Sequence, residues 1–424
     1  MKKFLVSILI LTLAGTACLS SPAPVSPTSD VLQQEHVTQN LATETQSPPT
    51  PYLTDTALAS TEVQLPPSPY PMNTALRPTK TQPPSVDDHV SEIRSFVNGQ
   101  ADDHQFSGTV LVAYQGTSVF QAAYGLADRN LNISNKIETK YNLGSMDKMF
   151  TAVAILQLVE QGKLSIYAKV GEYLPDYPDP EIASTVTIHE LLTHTSGMGN
   201  YFDSPAYLDS HDQIRSIDDY FSLFIDTPLM FPAGSQFAYS NSGYIVLGMI
   251  IEALSGQSYY DFVWEHIFEP SGMVDTACYE LDGDVLDLAI GYTSLDRYGN
   301  DAGQINDNFS MLPMRGGSAG GGYSTAPDLL SFSNALLNYQ LLSPESTLLL
   351  MKGKVQIADN VQYAYGFFDR VVQGYRKVGH GGGFPGICSI LSIYPELDYT
   401  AIVLSNSDDD CVDVDEFIMA TLTE

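Results

Sequence analysis

The amino-acid sequence predicts an α/β protein of the α+β kind, an antiparallel sheet flanked by helices with a mostly helical lobe. Three observations lead there. Strand-like segments bracket the apolar part of the chain, at 107–125 and again at 387–406. Between them, long apolar stretches carry helix caps instead of polar–apolar alternation. The middle, 175–272, is broken by Pro and Gly into short helical pieces. Strands from both ends sharing one sheet, with helices inserted between them, give this layered arrangement.

Taken in order, the first 17 residues, MKKFLVSILILTLAGTA, combine two lysines, an apolar run and small residues. That is a secretory signal peptide, too short and too early to count as a spanning helix of the mature chain. Cys18 follows it directly and is a candidate for a lipid anchor. Gly15 stands where such signals usually carry an aliphatic residue, and ordinary cleavage after Ala17 is the alternative. Residues 18–85 are rich in Ser, Thr, Pro and Gln and hold too few large apolar groups to offset chain entropy. They read as a disordered tether, leaving 86–424 as one folded domain.

Within that domain, VDDHVSEIRSFVNGQ is an amphipathic helix, and SGTVLVAYQG with SVFQAAYG form two strands around a turn at Gln115 and Gly116. GSMDKMFTAVAILQLVEQG is apolar nearly all round, so it belongs in the centre, capped by Gly162. Thr187 and Glu190 have capping-box spacing before a short helix expected to end near Ser196 and Gly197. NSGYIVLGMIIEALSG is a second apolar helix, with Asn241 or Ser242 as its cap. SYYDFVWEHIF follows with a Ser-x-x-Asp start. ICSILSIYPELDYTAIVLSN makes a hairpin around Pro395 to Asp398, and VDEFIMATL is the closing helix.

The chain has 424 residues and a net charge of −31, which argues against a nucleic-acid partner or an anionic membrane surface, since both need basic patches. Besides Cys18, the cysteines are Cys278, Cys388 and Cys411. One disulfide is open to them outside the cytoplasm, with Cys388–Cys411 the nearest pair, and their spacing fits no zinc pattern.

Chemistry is suggested first by Ser145 and Lys148. Three residues apart at a helix start, they share a face, and an amine there can take the proton of the serine hydroxyl. The helix N-terminus adds free N–H groups that favour developing negative charge. Two further clusters lie downstream, Tyr239 and Asn241 in FAYSNSGY and His380 ahead of three glycines in KVGHGGGFPG, just before a strand.

In order and spacing, Ser-x-x-Lys, Tyr-x-Asn and His-Gly-Gly resemble the three motifs of the serine β-lactamase and penicillin-binding-protein family, in its class C branch with DD-peptidases, D-aminopeptidases and family VIII esterases. LLTHTSGM, GSAGGGYSTAPDLLSF and IFEPSGMVDTAC are similar to further signatures of that branch, so the resemblance covers nearly all of 86–424. It implies a β-lactamase/transpeptidase-like fold and an acyl-enzyme mechanism with no metal or cofactor.

Residue by residue, the resemblance makes Ser145 the nucleophile. Lys148 and Tyr239 share the proton work, Tyr239 as a phenolate or shuttle whose pKa nearby cations lower. Asn241 orients Lys148 and the substrate, and His380, Gly381 and Gly382 line the substrate strand. The backbone N–H groups of Ser145 and Gly383 form the oxyanion hole. His380 departs from the lysine of many relatives, removing the permanent cation that grips a β-lactam carboxylate. Asp147, in place of the usual Thr, points away from the Ser145 face and is expected to make a local polar contact.

The expected activity is therefore that of an exported serine hydrolase acting on D-amino-acid peptides, as a D-alanyl-D-alanine carboxypeptidase does, or on esters. Peptidoglycan fragments are among the candidate substrates. The alternatives are a β-lactamase and a non-catalytic surface module. Two decoys are set aside. In HELLTH the histidines are five apart, not the four that a zinc helix needs. GGSAG at 316–320 lacks the strand before it and the helix after it that a nucleophile elbow requires.

Overall fold

In the computed structural model the described residues are 85–296 and 300–424. The expected signal peptide, Cys18 and all but the last residue of the 18–85 tether lie outside them. Among the described residues no helix is long and apolar enough to cross a membrane.

One antiparallel sheet of eight strands organises the fold. We number its strands in chain order: β1 (Gly108–Tyr114), β2 (Thr117–Tyr124), β3 (Val355–Ala358), β4 (Val361–Tyr363), β5 (Phe368–Val372), β6 (Tyr375–Phe384), β7 (Ile387–Tyr394) and β8 (Tyr399–Ser405). Their spatial order is β2-β1-β8-β7-β6-β5-β4-β3. The first strand thus pairs with the last, Val110 opposite Val403 and Val112 opposite Ala401.

Period-two alternation sorts side chains to two cores. Leu111, Ala113, Ile402 and Leu404 face the large core. Val110, Val112, Ala401 and Val403 face a smaller one under α1 (Val86–Asp102) and the last helix. Because both faces are covered, β8 is buried along its whole length and β1 along all but its end.

Helix α2 (Asp147–Glu160) runs through the large core with Met149, Phe150, Ala152 to Leu156 and Leu158 all buried, which accounts for its lack of a polar stripe. Beside it lies α3 (Asn241–Ser255), ended by Gly256 in the left-handed conformation at φ 74°. Its cap is Ser240, whose side chain accepts from the Gly243 N–H, and not Asn241 or Ser242, which are already helical. Helix α4 (Ala326–Leu337) packs on the same side of the sheet, and α5 (Asp410–Thr423) on the other.

Two expectations about local structure change. The helix capped by Thr187 spans only Ile188–Leu192, because His194 takes a left-handed φ of 59° and turns the chain away. His380 and its glycines do not precede a strand. They lie within β6, paired there with β7 alone, since the β5 partnership ends at Gly379. The chain also adds a short hairpin, Tyr292–Leu295 with Asp301–Asp307, and the edge strands β3 to β5, none of which stood out as strands in the sequence. Cys388 on β7 and Cys411 on α5 form a disulfide, while Cys278 is free and buried.

Candidate active site

The site is built where the start of α2 meets β6. Gly144–Met146 forms a 3₁₀ turn, and the α-helix begins only at Asp147. Ser145 therefore sits on a tight bend ahead of the helix instead of in its first regular turn. Gly144 has φ 50°, and a Cβ there would come 3.0 Å from the Gly383 nitrogen. Gly382 is held as closely: a Cβ on it would lie 1.8 Å from the Leu143 carbonyl oxygen. The glycines of β6 thus let its backbone press against the serine turn, bringing the Ser145 and Gly383 amides into one neighbourhood. Gly381 has more room, a Cβ there meeting the Ser389 carbonyl oxygen at 3.3 Å.

Lys148 has no exposed surface. Its Nζ lies 2.5 Å from the Ala319 carbonyl oxygen, 2.6 Å from Asn241 Oδ1 and 3.2 Å from Ser145 Oγ. No carboxylate pairs with it among the described ion pairs, and burial drives its pKa well down, with Asp147 opposing that shift. A neutral amine has two N–H groups and one lone pair. Ala319 O and Asn241 Oδ1 are pure acceptors and take the two hydrogens, so the lone pair is left for the Ser145 hydroxyl to donate into. Asn241 is held in that orientation because its Nδ2 donates to Asn200 Oδ1 at 3.2 Å. The arrangement can remove a proton from serine near neutral pH.

The Tyr239 ring packs 4.8 Å from the Lys148 nitrogen. Its hydroxyl is fully enclosed beside the Ser145 hydroxyl. The expectation of a lowered pKa is overturned: burial holds this phenol above its ordinary range, with only the Ser145 hydroxyl acting the other way. The cause is desolvation, and the expected cations beside it are themselves weakened by burial. Lys148 is driven toward its neutral form, and so is His380.

His380 is 4% exposed. Its Nδ1 lies 2.5 Å from the Gly381 carbonyl oxygen, which can only accept, so that nitrogen carries the proton. Nε2 then accepts from the Tyr363 hydroxyl at 3.1 Å. Desolvation pushes the imidazole pKa down to about 3, with Lys148 and Arg370 adding to the effect. His380 is therefore a neutral wall behind Tyr239 (ring centroids 6.5 Å apart), and both its nitrogens are committed inside the protein.

With this geometry in hand, comparison with known proteins is informative. The sequence matches the family described as Beta-lactamase over residues 93–420. The chain belongs to the β-lactamase family. It is 31% identical over 321 residues to penicillin-binding protein 4* of Bacillus subtilis, covering 73% of this chain and 70% of that one. It is 27% identical to a teichoic acid D-alanine hydrolase of Staphylococcus aureus, covering 71% of this chain and 70% of that one. Among solved structures, a penicillin-binding protein from Bacillus halodurans superposes with a TM-score of 0.70 at 34% identity, over 76% of this chain and 98% of that one. The protein is a serine hydrolase of this β-lactamase-related kind.

Several residues around this β-lactamase-family site escaped sequence reasoning. Ala319 contributes only a backbone carbonyl, which has no side-chain signature; the dense glycines of GSAGGGY were its one available sign. Tyr363 and Tyr244 complete the aromatic wall around Lys148 and His380. Asn200 acts through Asn241.

The decoys resolve as ordinary structure. His189 Nδ1 meets the Tyr365 hydroxyl at 2.8 Å, whereas His194 Nδ1 accepts from the Ser240 N–H at 3.2 Å. Ser318 is fully buried and donates to the Tyr244 carbonyl. Asp147 also departs from expectation: its partner is not local but the Gly322 N–H, 175 residues on.

Proposed function

We propose that this protein is an exported acyl-enzyme hydrolase of D-amino-acid derivatives, with Ser145 as nucleophile and neutral Lys148 as its base. The observation that carries the reading is the placement of the buried Lys148 amine within hydrogen-bond reach of Ala319 O, Asn241 Oδ1 and Ser145 Oγ at once.

In acylation Ser145 Oγ bonds to the substrate carbonyl carbon as its proton passes to Lys148 Nζ. The resulting oxyanion is met by the backbone N–H groups of Ser145 and Gly383. The leaving group departs with a proton from Tyr239, whose phenol stays protonated in this setting. Tyr239 recovers a proton from the Lys148 ammonium. Water then attacks the acyl-enzyme by the same route in reverse, releasing the acid and restoring Ser145. No step calls on a metal or cofactor.

The neutral, enclosed His380 offers no charge to a substrate carboxylate, which favours D-aminoacyl esters and amides over β-lactams. The Staphylococcus aureus relative, a teichoic acid D-alanine hydrolase by name, supports D-alanyl groups as the acyl part. Export rests on the signal-like first 17 residues, with Cys18 as the candidate lipid anchor of a cell-envelope protein.

A panel of D-alanyl p-nitrophenyl ester, D-Ala-D-Ala peptide and nitrocefin, run with wild type and Ser145→Ala, tests this. Ester or peptide turnover that disappears in Ser145→Ala is expected. Nitrocefin turned over faster than both other substrates overturns the substrate ranking, and activity persisting in Ser145→Ala overturns the nucleophile.

A further inference from the structure

The loop at 318–322 runs along the start of α2 and is gripped by it residue after residue. Thr151 Oγ1 donates to the Ser318 carbonyl at 2.7 Å, and Lys148 Nζ reaches Ala319 O at 2.5 Å. The Gly321 N–H donates to Gly144 O, and Leu143 N–H to Gly322 O at 2.7 Å. The last contact is Asp147 Oδ2, which accepts from the Gly322 N–H at 2.5 Å. Asp147 is 3% exposed, and a Cβ on Gly322 would stand 2.7 and 2.8 Å from its two carboxylate oxygens. The fit leaves room only for glycine opposite this carboxylate.

Burial pushes the Asp147 carboxyl up to about 7, with the Gly322 amide and Lys148 acting the other way. Tyr259 and Cys278, the titratable groups that bear on Asp147 from neighbouring elements, are pushed toward their protonated forms by burial. Around Lys148 stand Tyr239, Tyr244, His194 and His380, and burial drives all four toward their uncharged forms. Asp147 is the one carboxylate among the described residues that acts on the Lys148 amine, and it acts to keep the proton on.

We propose that Asp147 is a positioning residue for this site: by holding the Gly322 amide it fixes the loop that presents Ala319 O to Lys148, and its carboxyl, next to Lys148 in the chain, opposes the loss of that amine's proton. The inference rests on the reading of Lys148 as the base. It separates two duties in one side chain, since an asparagine keeps an acceptor for Gly322 but loses the charge, whereas alanine loses both.

The test uses full-length Asp147→Asn and Asp147→Ala. Ser145 labelling by a fluorophosphonate is followed against pH, beside kcat/KM for a p-nitrophenyl ester and the Tm. Asp147→Asn should move the acid limb of both profiles to lower pH, with the plateau rate within about threefold of wild type. Asp147→Ala should lower the plateau kcat at least about tenfold with little change in KM, because the Ala319 carbonyl is no longer held in place.

Unchanged profiles in both variants, or a loss of Tm with no change in the acid limb, overturn the proposal. If wild-type Ser145 is not labelled at any pH, the reading of the site as a hydrolase falls and the role of Asp147 falls with it. Labelling does not require turnover, so that failure is distinguishable from an unshifted profile.

Discussion

The Lys148 amine lies 2.5 Å from the Ala319 carbonyl oxygen, 171 residues further along the chain. That contact decides the chemistry of the Ser-x-x-Lys pair. A lysine with only a serine beside it could be a solvated cation. A buried lysine whose amine meets Ala319 O and Asn241 Oδ1 beside the Ser145 hydroxyl has the setting of the base proposed above.

Replacing the amine should remove that base. Lys148→Met is expected to slow Ser145 labelling and ester acylation by roughly 10²–10⁴-fold. In the wild type the amine acts unprotonated, so activity rises with pH and levels off well below the ordinary lysine pKa. Stopped-flow acylation across pH checks both statements. A loss of less than about tenfold at the plateau counts against Lys148 as the base.

Tyr239→Phe separates stability from chemistry. The enclosed hydroxyl has only the Ser145 hydroxyl beside it, so deleting it should change stability by no more than about 1 kcal/mol in urea unfolding. A phenol that protonates the leaving group matters most when that group is basic. Amide hydrolysis should therefore fall at least about tenfold more than p-nitrophenyl ester hydrolysis. Equal losses on both substrates would mean that Tyr239 is not the proton donor.

His380 bears on substrate charge. Were its pKa near the usual value, acidification below pH ~6.5 would create a cation and favour a carboxylate-bearing substrate. With the pKa pushed down to about 3, the ring stays neutral throughout that range. The kcat/KM ratio of a D-alanyl thioglycolate thioester to its methyl ester should accordingly stay flat between about pH 5 and 8. A rise in this ratio on the acid side would show that His380 titrates there.

The disulfide ties strand β7 to helix α5 across the smaller core, Cys388 to Cys411, closing 23 residues of chain. Loop-closure entropy for that length is worth about 3 kcal/mol. The double variant Cys388→Ala/Cys411→Ala, compared with oxidised wild type by denaturant unfolding, should lose about that much. Ester hydrolysis should persist wherever the variant remains folded, since both sulfurs belong to the smaller core on the other face of the sheet. A loss below about 0.5 kcal/mol would mean the crosslink adds nothing to folding stability.

Much of this architecture was legible because local chemistry specifies it. Thr187 and Ser258 announce their helices by capping, and the apolar α2 could only be central. Where local signals competed, the reading slipped. Ser240, not its polar neighbours, caps α3, and a left-handed His194 ends a helix that its composition would have prolonged. The run at 380–383 looks like a turn in sequence because glycine weakens strands. Inside β6 it is glycine because the serine turn leaves no space for a Cβ at 382.

The amino-acid sequence by itself determined which groups are present: a serine and an amine one helical turn apart, a phenol, an amide, and a histidine before three glycines. It also determined the order in which a sheet and its helices are laid down. The tertiary structure decided the protonation of those groups, because burial and a carbonyl from 171 residues away act through space and not along the chain. Burial pushes Lys148 and His380 toward their neutral forms and holds the Tyr239 phenol above its ordinary range, and none of these shifts is written in residue identity.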